Sequence, residues 1–191
     1  MRKLSLTASA LILIAFAAAA QVDQKKAMEA MMKAATPGDH HKALNPMVGT
    51  FDVKLKFWPA AGAPAQESTG KSVNEWVLGG RWVQQRFDGT FMSAPFNGIG
   101  YTGYDNVKQT YVGTWMDSMS TSMMTSSGGP DASGKTWMFS GTVMDPMSGE
   151  PSEVDSKLTI ADNDHHTMEM TGPGPDGRMY KMMEISYSRK K

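Results

Sequence analysis

Residues 110–117 read Thr-Tyr-Val-Gly-Thr-Trp-Met-Asp and indicate the fold class of this chain. Tyr111, Gly113 and Trp115 share one face of an extended segment, because successive side chains of a strand point to opposite sides. Residues 135–144 repeat this alternation. Both faces of both segments carry apolar residues, which is expected of strands that line a lumen on one side and are partly covered on the other. The pattern predicts strands but does not say which face points inward.

Similar segments follow one another from Met47 to the C-terminus and predict ten strands. Clusters rich in Gly, Pro, Asp and Asn separate them and are typical of turns. The strands recur about every 8–12 residues without a crossover helix, which favours an antiparallel meander. The predicted strands are Gly49–Trp58, Ser68–Val77, Arg81–Phe91, Phe96–Tyr104, Thr110–Asp117, Ser120–Ser126, Lys135–Met144, Glu153–Ala161, His166–Met170 and Met179–Ser188.

Ten strands in an open sheet would leave two unpaired edges and expose one apolar face to water. Closure into a barrel removes the edges. Eight strands already make a barrel just wide enough to hold a small ligand, so ten leave room for a cavity. We therefore expect an all-β fold, a single antiparallel meander β-barrel of about ten strands with a short N-terminal helix.

The helix is predicted over Val22–Ala35, with Asp23 as its cap. Met28, Met31 and Met32 recur at helical spacing and predict an apolar stripe that packs on the rest of the protein.

The first twenty residues have the pattern of a secretory signal peptide. Arg2 and Lys3 precede an uncharged, mostly apolar run, Leu4–Ala20, that ends in four alanines. A membrane-spanning helix needs about 20 apolar residues. This run is shorter than that and contains hydroxyl side chains. We expect cleavage near Ala20, a periplasmic or secreted protein, and no membrane insertion afterwards. The expected organisation is a signal peptide over 1–20, a helix and lead-in over 21–45, and a barrel domain over 46–191.

The composition excludes several classes of protein. The chain has 191 residues, a formal net charge of zero and a mean hydropathy of -0.37. We therefore expect no nucleic-acid partner and no polytopic membrane protein. Cysteine is absent, which excludes disulfides, thiolate metal sites and a thiol nucleophile. Methionine is unusually frequent, at 18 residues.

Several short motifs are more specific than ordinary strand sequence. They are Pro37–Lys42, Met47–Phe51, Trp76–Gln85, Gly103–Asn106, Thr114–Thr121 and Glu184–Arg189. Their occurrence in this order resembles the domain of unknown function 1579 family of bacterial, often exported, proteins, from about Met28 to Arg189. The resemblance implies a lipocalin-like or nitrobindin-like barrel and no established reaction.

Arg81, Trp82 and Arg86 lie close together in the third predicted strand. A lumen-facing arginine with aromatic walls suits a carboxylate or phosphate head group. The alternative is a structural arginine satisfied by carbonyls and carboxylates, which is the more common role of a buried arginine. Arg81 and Arg86 are five positions apart, so at most one of them faces the lumen of a regular strand.

Trp115, Asp117, Ser118 and Thr121 form a second candidate cluster, placed where a strand ends. One interpretation is a ligand-contacting group at the barrel mouth. The other, which we favour, is a turn in which Asp and Ser side chains bond to backbone amides. The hypothetical ligand-binding set is Arg81, Trp82, Trp115, Asp117 and Thr121, and no catalytic set is predicted.

His166, Met168 and Met170 share one face of the ninth predicted strand. Imidazole and thioether are ligand types that Cu(I) takes, and a single lumen histidine is a haem ligand in the nitrobindin-like interpretation. The alternatives are a hydrogen-bonded histidine and methionines that fill apolar gaps. No cofactor is therefore predicted, and copper and haem stay as alternatives.

Three functions follow in order of preference. The first is an exported barrel that binds a small hydrophobic or amphipathic molecule in its lumen. The second is a periplasmic copper or haem protein that uses His166, Met168 and Met170. The third is a structural or stress-related envelope protein with a packed interior. An enzyme that uses Arg81 and Asp117 is not favoured, because no catalytic arrangement can be argued from the spacing.

Overall fold

The structure is a computed structural model that describes residues 23–145, 148–174 and 176–191. The expected signal peptide, residues 1–20, lies outside the described residues. The described residues divide into two units, one that ends at Thr36 and one over Pro37–Lys191. Among the described residues, no helix is long and apolar enough to cross a membrane.

The described part of the first unit is a helix over residues 23–35, which we call α1. Its side chains are exposed along the whole length. Met28, Met31 and Met32 are 58%, 67% and 63% exposed. The helix is thus present as predicted in the described residues.

The second unit is a closed ten-stranded antiparallel barrel. Each strand pairs with its neighbours along the chain, and β1 also pairs with β10, which closes the ring. The prediction of a meander barrel is confirmed. A short helix α2 (Asp39–Lys42) and a 3-10 turn (Asn45–Met47) precede the strands β1 Gly49–Phe57, β2 Gln66–Val77, β3 Trp82–Phe91, β4 Ala94–Asp105, β5 Thr110–Asp117, β6 Met124–Pro130, β7 Thr136–Met144, β8 Pro151–Ile160, β9 His165–Pro173 and β10 Met179–Arg189.

The sixth strand is the main departure from the predicted boundaries. It was expected over Ser120–Ser126 but covers Met124–Pro130. Residues 118–123 form a loop instead, because Asp117 accepts a hydrogen bond from the amide of Met119. The Gly-Gly-Pro segment expected to be a turn is strand, because Gly128 lies against the carbonyl of Met138 where a side chain would not fit.

Burial separates the inner face of the barrel from the outer one. In β1, Phe51, Val53 and Leu55 are buried while Lys54 and Lys56 are exposed. The same alternation puts the large aromatic residues of β5 and β7 inside. The undecided faces of these two strands are thereby assigned, with Tyr111, Gly113, Trp115, Trp137, Phe139 and Val143 on the inner face.

One end of the barrel is covered by residues 39–47, which we call the cap. Leu44 of the cap is completely buried and packs with Tyr111 and Trp137 in a first apolar cluster. The Tyr111 hydroxyl donates a hydrogen bond to the carbonyl of His40, 3.0 Å away. A second cluster, built on Phe51 and its neighbours, lies elsewhere in the lumen. We call the end opposite the cap, where β1 joins β2, the distal end.

Arg189 ties the cap to the last strand. Its guanidinium lies 4.7 Å above the ring of Phe51 and donates hydrogen bonds to the carbonyls of Val48 and Pro46, at 2.6 and 3.0 Å. Its Nε donates to the carbonyl of Asn163 and lies 3.1 Å from a carboxylate oxygen of Asp164. One side chain near the C-terminus therefore holds together the cap, β1 and the β8–β9 turn.

Aromatic rings pack against glycines on the inner wall. The ring of Trp115 covers the positions that side chains at Gly98 and Gly100 would occupy, and Phe87 covers Gly70 and Gly89 in the same way. The missing side chains give these rings room between strands.

We predict that Gly98→Ala lowers the free energy of unfolding by about 1–3 kcal/mol, because the new methyl group would overlap the indole of Trp115. Urea unfolding followed by circular dichroism measures this change. Gly113→Ala is the matched control, since its methyl would meet only the rotatable hydroxyl of Ser126 at 2.9 Å. Equal losses for the two variants would contradict this account of the wall.

Candidate functional site

The lumen contains a small internal cavity of about 80 Å³. This volume suits a few water molecules, since each takes about 30 Å³ in the liquid. The lining mixes apolar and polar side chains from the cap and from seven strands. It consists of Met47, Asn74, Val83, Gln85, Thr102, Phe139, Ser156, Leu158, His166, Met168 and Tyr187.

A hydrogen-bonded network runs along one part of this lining. The Ser72 hydroxyl donates to Asn74 Oδ1 at 2.7 Å, and Asn74 Nδ2 donates to the carbonyl of Met47 at 2.7 Å. Gln85 Nε2 donates to the Ser72 hydroxyl at 3.0 Å and lies 3.3 Å from the Tyr187 hydroxyl. The network fixes the orientation of two amide side chains that face the cavity, which is how a binding pocket presents a defined set of polar atoms.

His166 borders the same cavity and is 6% exposed. Its ring stacks on Tyr187 at 4.4 Å and meets the edge of Phe51 at 4.8 Å. Burial lowers the pKa of His166 from 6.5 to about 4, with a smaller contribution from the positive charge of Arg189. The imidazole is therefore neutral at pH 7 and offers one donor and one acceptor.

The ring nitrogens of His166 have no hydrogen-bond partner among the described residues. Yet no fully buried side-chain nitrogen or oxygen in this part of the chain lacks a partner. Each of these nitrogens therefore keeps some accessible surface, in a residue that lines the cavity.

The site is electrically neutral. No Asp, Glu, Lys or Arg contributes to the lining. Burial raises the pKa of Tyr187 above its usual value, so its phenol also stays protonated. The cavity thus offers hydrogen-bond donors and acceptors without a net charge.

The two arginines considered for the lumen, Arg81 and Arg86, lie on the outside of the barrel. Arg81 lies in the turn between β2 and β3, is exposed, and donates a hydrogen bond to the carbonyl of Leu78. Arg86 faces outward as well and forms an ion pair with Glu75 at 3.0 Å. Neither arginine reaches the lumen, because Arg81 belongs to a turn and the side chain of Arg86 lies on the outer face of β3. Trp82 is half-buried on that outer face.

Trp115 and Asp117 are partners in the structure. Trp115 Nε1 donates to Asp117 Oδ2 at 3.0 Å, while Asp117 Oδ1 accepts from the amide of Met119. Thr121 is exposed in the following loop. This is the arrangement of the favoured structural interpretation, and the five residues of the predicted ligand-binding set do not come together at one site.

The alternative metal set is divided in the same way. His166 and Met168 line the cavity, whereas Met170 does not belong to its lining. Within the described ranges, no group of three or more His, Cys, Asp or Glu residues is placed to hold a metal ion. A haem does not fit, because a cavity of about 80 Å³ is far smaller than a porphyrin.

Sequence reasoning did not single out Asn74, Gln85 and Tyr187. Only Gln85 has a recognisable pattern in the sequence. It lies two positions from both Val83 and Phe87, which are buried on the inner face of β3. A polar residue in an inward register is a useful marker of a lumen site. Recognising it required knowing which face of β3 points inward.

A larger depression of about 780 Å³ lies on the outer surface of β5–β8. It opens to solvent and is bordered by Trp82, by Ser and Thr hydroxyls such as Thr114 and Ser127, and by the carboxylates of Glu153 and Asp155. We place the candidate site in the smaller lumen cavity, because only there are oriented polar groups withdrawn from bulk water.

We predict that the wild-type protein loses stability as pH falls from 6.5 toward 4, because the unfolded chain takes up a proton at His166 that the folded chain excludes. The pKa shift of His166 corresponds to a loss of about 3 kcal/mol in the free energy of unfolding, and this loss is complete near pH 4. Urea unfolding at pH 7 and pH 4.5 measures it for the wild type and for His166→Gln. The variant should lose clearly less stability, although burial also lowers the pKa of His41 and leaves a residual slope. Equal slopes would contradict the assignment.

Comparison with solved structures shows the same fold elsewhere. Rv2717c from M. tuberculosis is similar with a TM-score of 0.62 and 12% identity, over 82% of this chain and 100% of that chain. A redesigned beta barrel, b11L5F_LGL, has a TM-score of 0.40 and 15% identity, over 80% and 96% of the two chains. EF1p2_mFAP2b bound to DFHBI has a TM-score of 0.43 and 13% identity, over 79% and 99%. At such identities the first of these similarities shows a shared fold and no shared activity.

No curated protein matches the sequence. A family model does match it over residues 36–189, which include the whole barrel. The chain therefore belongs to the family described as Protein of unknown function (DUF1579).

Proposed function

We propose that the barrel binds a small, uncharged, apolar or amphipathic molecule in its lumen. The observation that supports this function is the internal cavity, in which neutral His166, Asn74 and Gln85 are presented beside apolar side chains. Pockets that combine apolar walls with a few oriented polar groups are typical of small-molecule sites.

The neutral lining favours an uncharged ligand. A carboxylate or phosphate moved into this cavity would lose its hydration without gaining a cationic partner, which is strongly unfavourable. The nearby cation, Arg189, is already engaged with carbonyls and with Asp164. We therefore propose a ligand with a neutral head group, in place of the anionic one considered for Arg81. This head group would bond to the amide, hydroxyl and imidazole groups of the lining.

The cavity volume limits the affinity that we expect. A ligand of about five non-hydrogen atoms gains at most about 7 kcal/mol, since the best small ligands gain about 1.5 kcal/mol per atom. We therefore expect a dissociation constant no lower than about 10 µM for such a molecule. A larger ligand requires Met168 to move. This is feasible for a flexible thioether that packs against both apolar clusters.

We predict that acetamide binds to the cavity and that acetate, its charged counterpart of the same shape, does not. Titration at pH 7 followed by NMR should show saturable shifts of His166 and Tyr187 resonances with acetamide alone. Gln85→Leu should weaken acetamide binding about fivefold to tenfold, the worth of one hydrogen bond.

Gln84→Leu is the matched control, because Gln84 is the adjacent residue on the outer face, where its side chain donates to Tyr101. It should leave acetamide binding unchanged. Equal shifts with acetamide and acetate, or none with either, would contradict a neutral lumen site.

We also propose that the chain is exported with removal of its first twenty residues, on the strength of the basic start and apolar run of Leu4–Ala20. Intact-mass measurement of the protein recovered from the periplasm or the medium should identify Gln21 as the first residue. Recovery of the full-length chain from the cytoplasm alone would refute the proposal.

A further inference from the structure

Most of the described methionines lie on the surface of the protein. Of the thirteen large hydrophobic side chains that are exposed in the described ranges, ten are methionine. None of the twelve hydrophobic residues that are buried in the same ranges is methionine. The exposed ones are Met28, Met31, Met32, Met92, Met116, Met119, Met123, Met138, Met144 and Met179.

This distribution is the reverse of the usual one. Methionine is among the residues most often buried and normally fills irregular gaps in apolar cores. Here Leu, Val, Ile, Phe, Tyr and Trp fill the core. The six other described methionines, of which Met168 is one, are half-buried. The fully buried core of the described residues is thus built of side chains without sulfur, and most of the described thioethers are exposed to solvent.

Five of the exposed methionines occupy the distal end of the barrel. They lie in or next to the β3–β4, β5–β6, β7–β8 and β9–β10 connections, all of which are at that end in an antiparallel meander. We call them the methionine rim, and they are Met92, Met119, Met123, Met144 and Met179.

We propose that the protein consumes two-electron oxidants, of the peroxide class, at its exposed methionines while the barrel stays folded. The sulfur lone pair forms a bond to one peroxide oxygen and the O–O bond breaks. The other oxygen leaves as water after it takes up the proton from the first. The sulfur is oxidised to sulfoxide and the peroxide is reduced to water. The chain has no cysteine, so no thiol competes for the oxidant.

Burial determines which sulfurs react without harm. A sulfoxide is polar, so it is well solvated at an exposed position and unfavourable inside an apolar core. Oxidation of the ten exposed thioethers changes neither the core nor the strand pairing. Oxidation of a half-buried one, such as Met168 between the two clusters, would place a polar group against apolar neighbours.

The experiment is graded oxidation of the full chain with hydrogen peroxide, followed by peptide mass spectrometry and thermal unfolding. The ten exposed methionines should gain oxygen before the six half-buried ones. The midpoint of thermal unfolding should change by only a few degrees until the exposed set is consumed and fall steeply afterwards.

A variant with all five rim methionines replaced by leucine tests the capacity directly, since leucine has a similar size and no sulfur. It should fold like the wild type and consume about half as much peroxide before the midpoint falls. The proposal is overturned if exposed and half-buried methionines react in no particular order, if the first oxidations already unfold the barrel, or if the variant consumes as much peroxide as the wild type.

Discussion

The pairing of β1 with both β2 and β10 is the constraint on which the rest of the structure depends. Once the ring is closed, each strand has one inner and one outer face, and the alternation of side chains sorts the residues between them. Arg189 reinforces this closure, because it joins the last strand to the backbone that leads into the first. The cap, the two clusters and the cavity all follow from this ring.

The number and order of the strands could be predicted because their signals are local. Alternation and turn chemistry act over a few residues, and most predicted boundaries agree with the observed ones to within three residues. The sixth strand was misplaced because Gly128 and Gly129 are turn residues in a local reading. Their real role is to allow close contact with β7, which depends on a neighbouring strand.

The candidate site was less predictable, because it depends on contacts across the barrel. His166 was singled out by its chemistry alone, whereas Gln85 and Tyr187 meet over a separation of 102 positions in the chain. Arg81 was misjudged for a related reason. It is adjacent in sequence to a lumen-lining strand, but it belongs to the turn that begins at Leu78, a non-glycine residue with a φ of 50°. Arg81 is the residue immediately before β3.

The seam between the first and the last strand has a consequence for how the molecule is made. β1 begins at Gly49, and its partner β10 ends at Arg189, with the eight other strands between them along the chain. All of these strands must emerge before the seam can form, and contacts of such long range make folding slow. A chain in transit, from a ribosome or through a narrow channel, therefore keeps an unsealed sheet until β10 arrives.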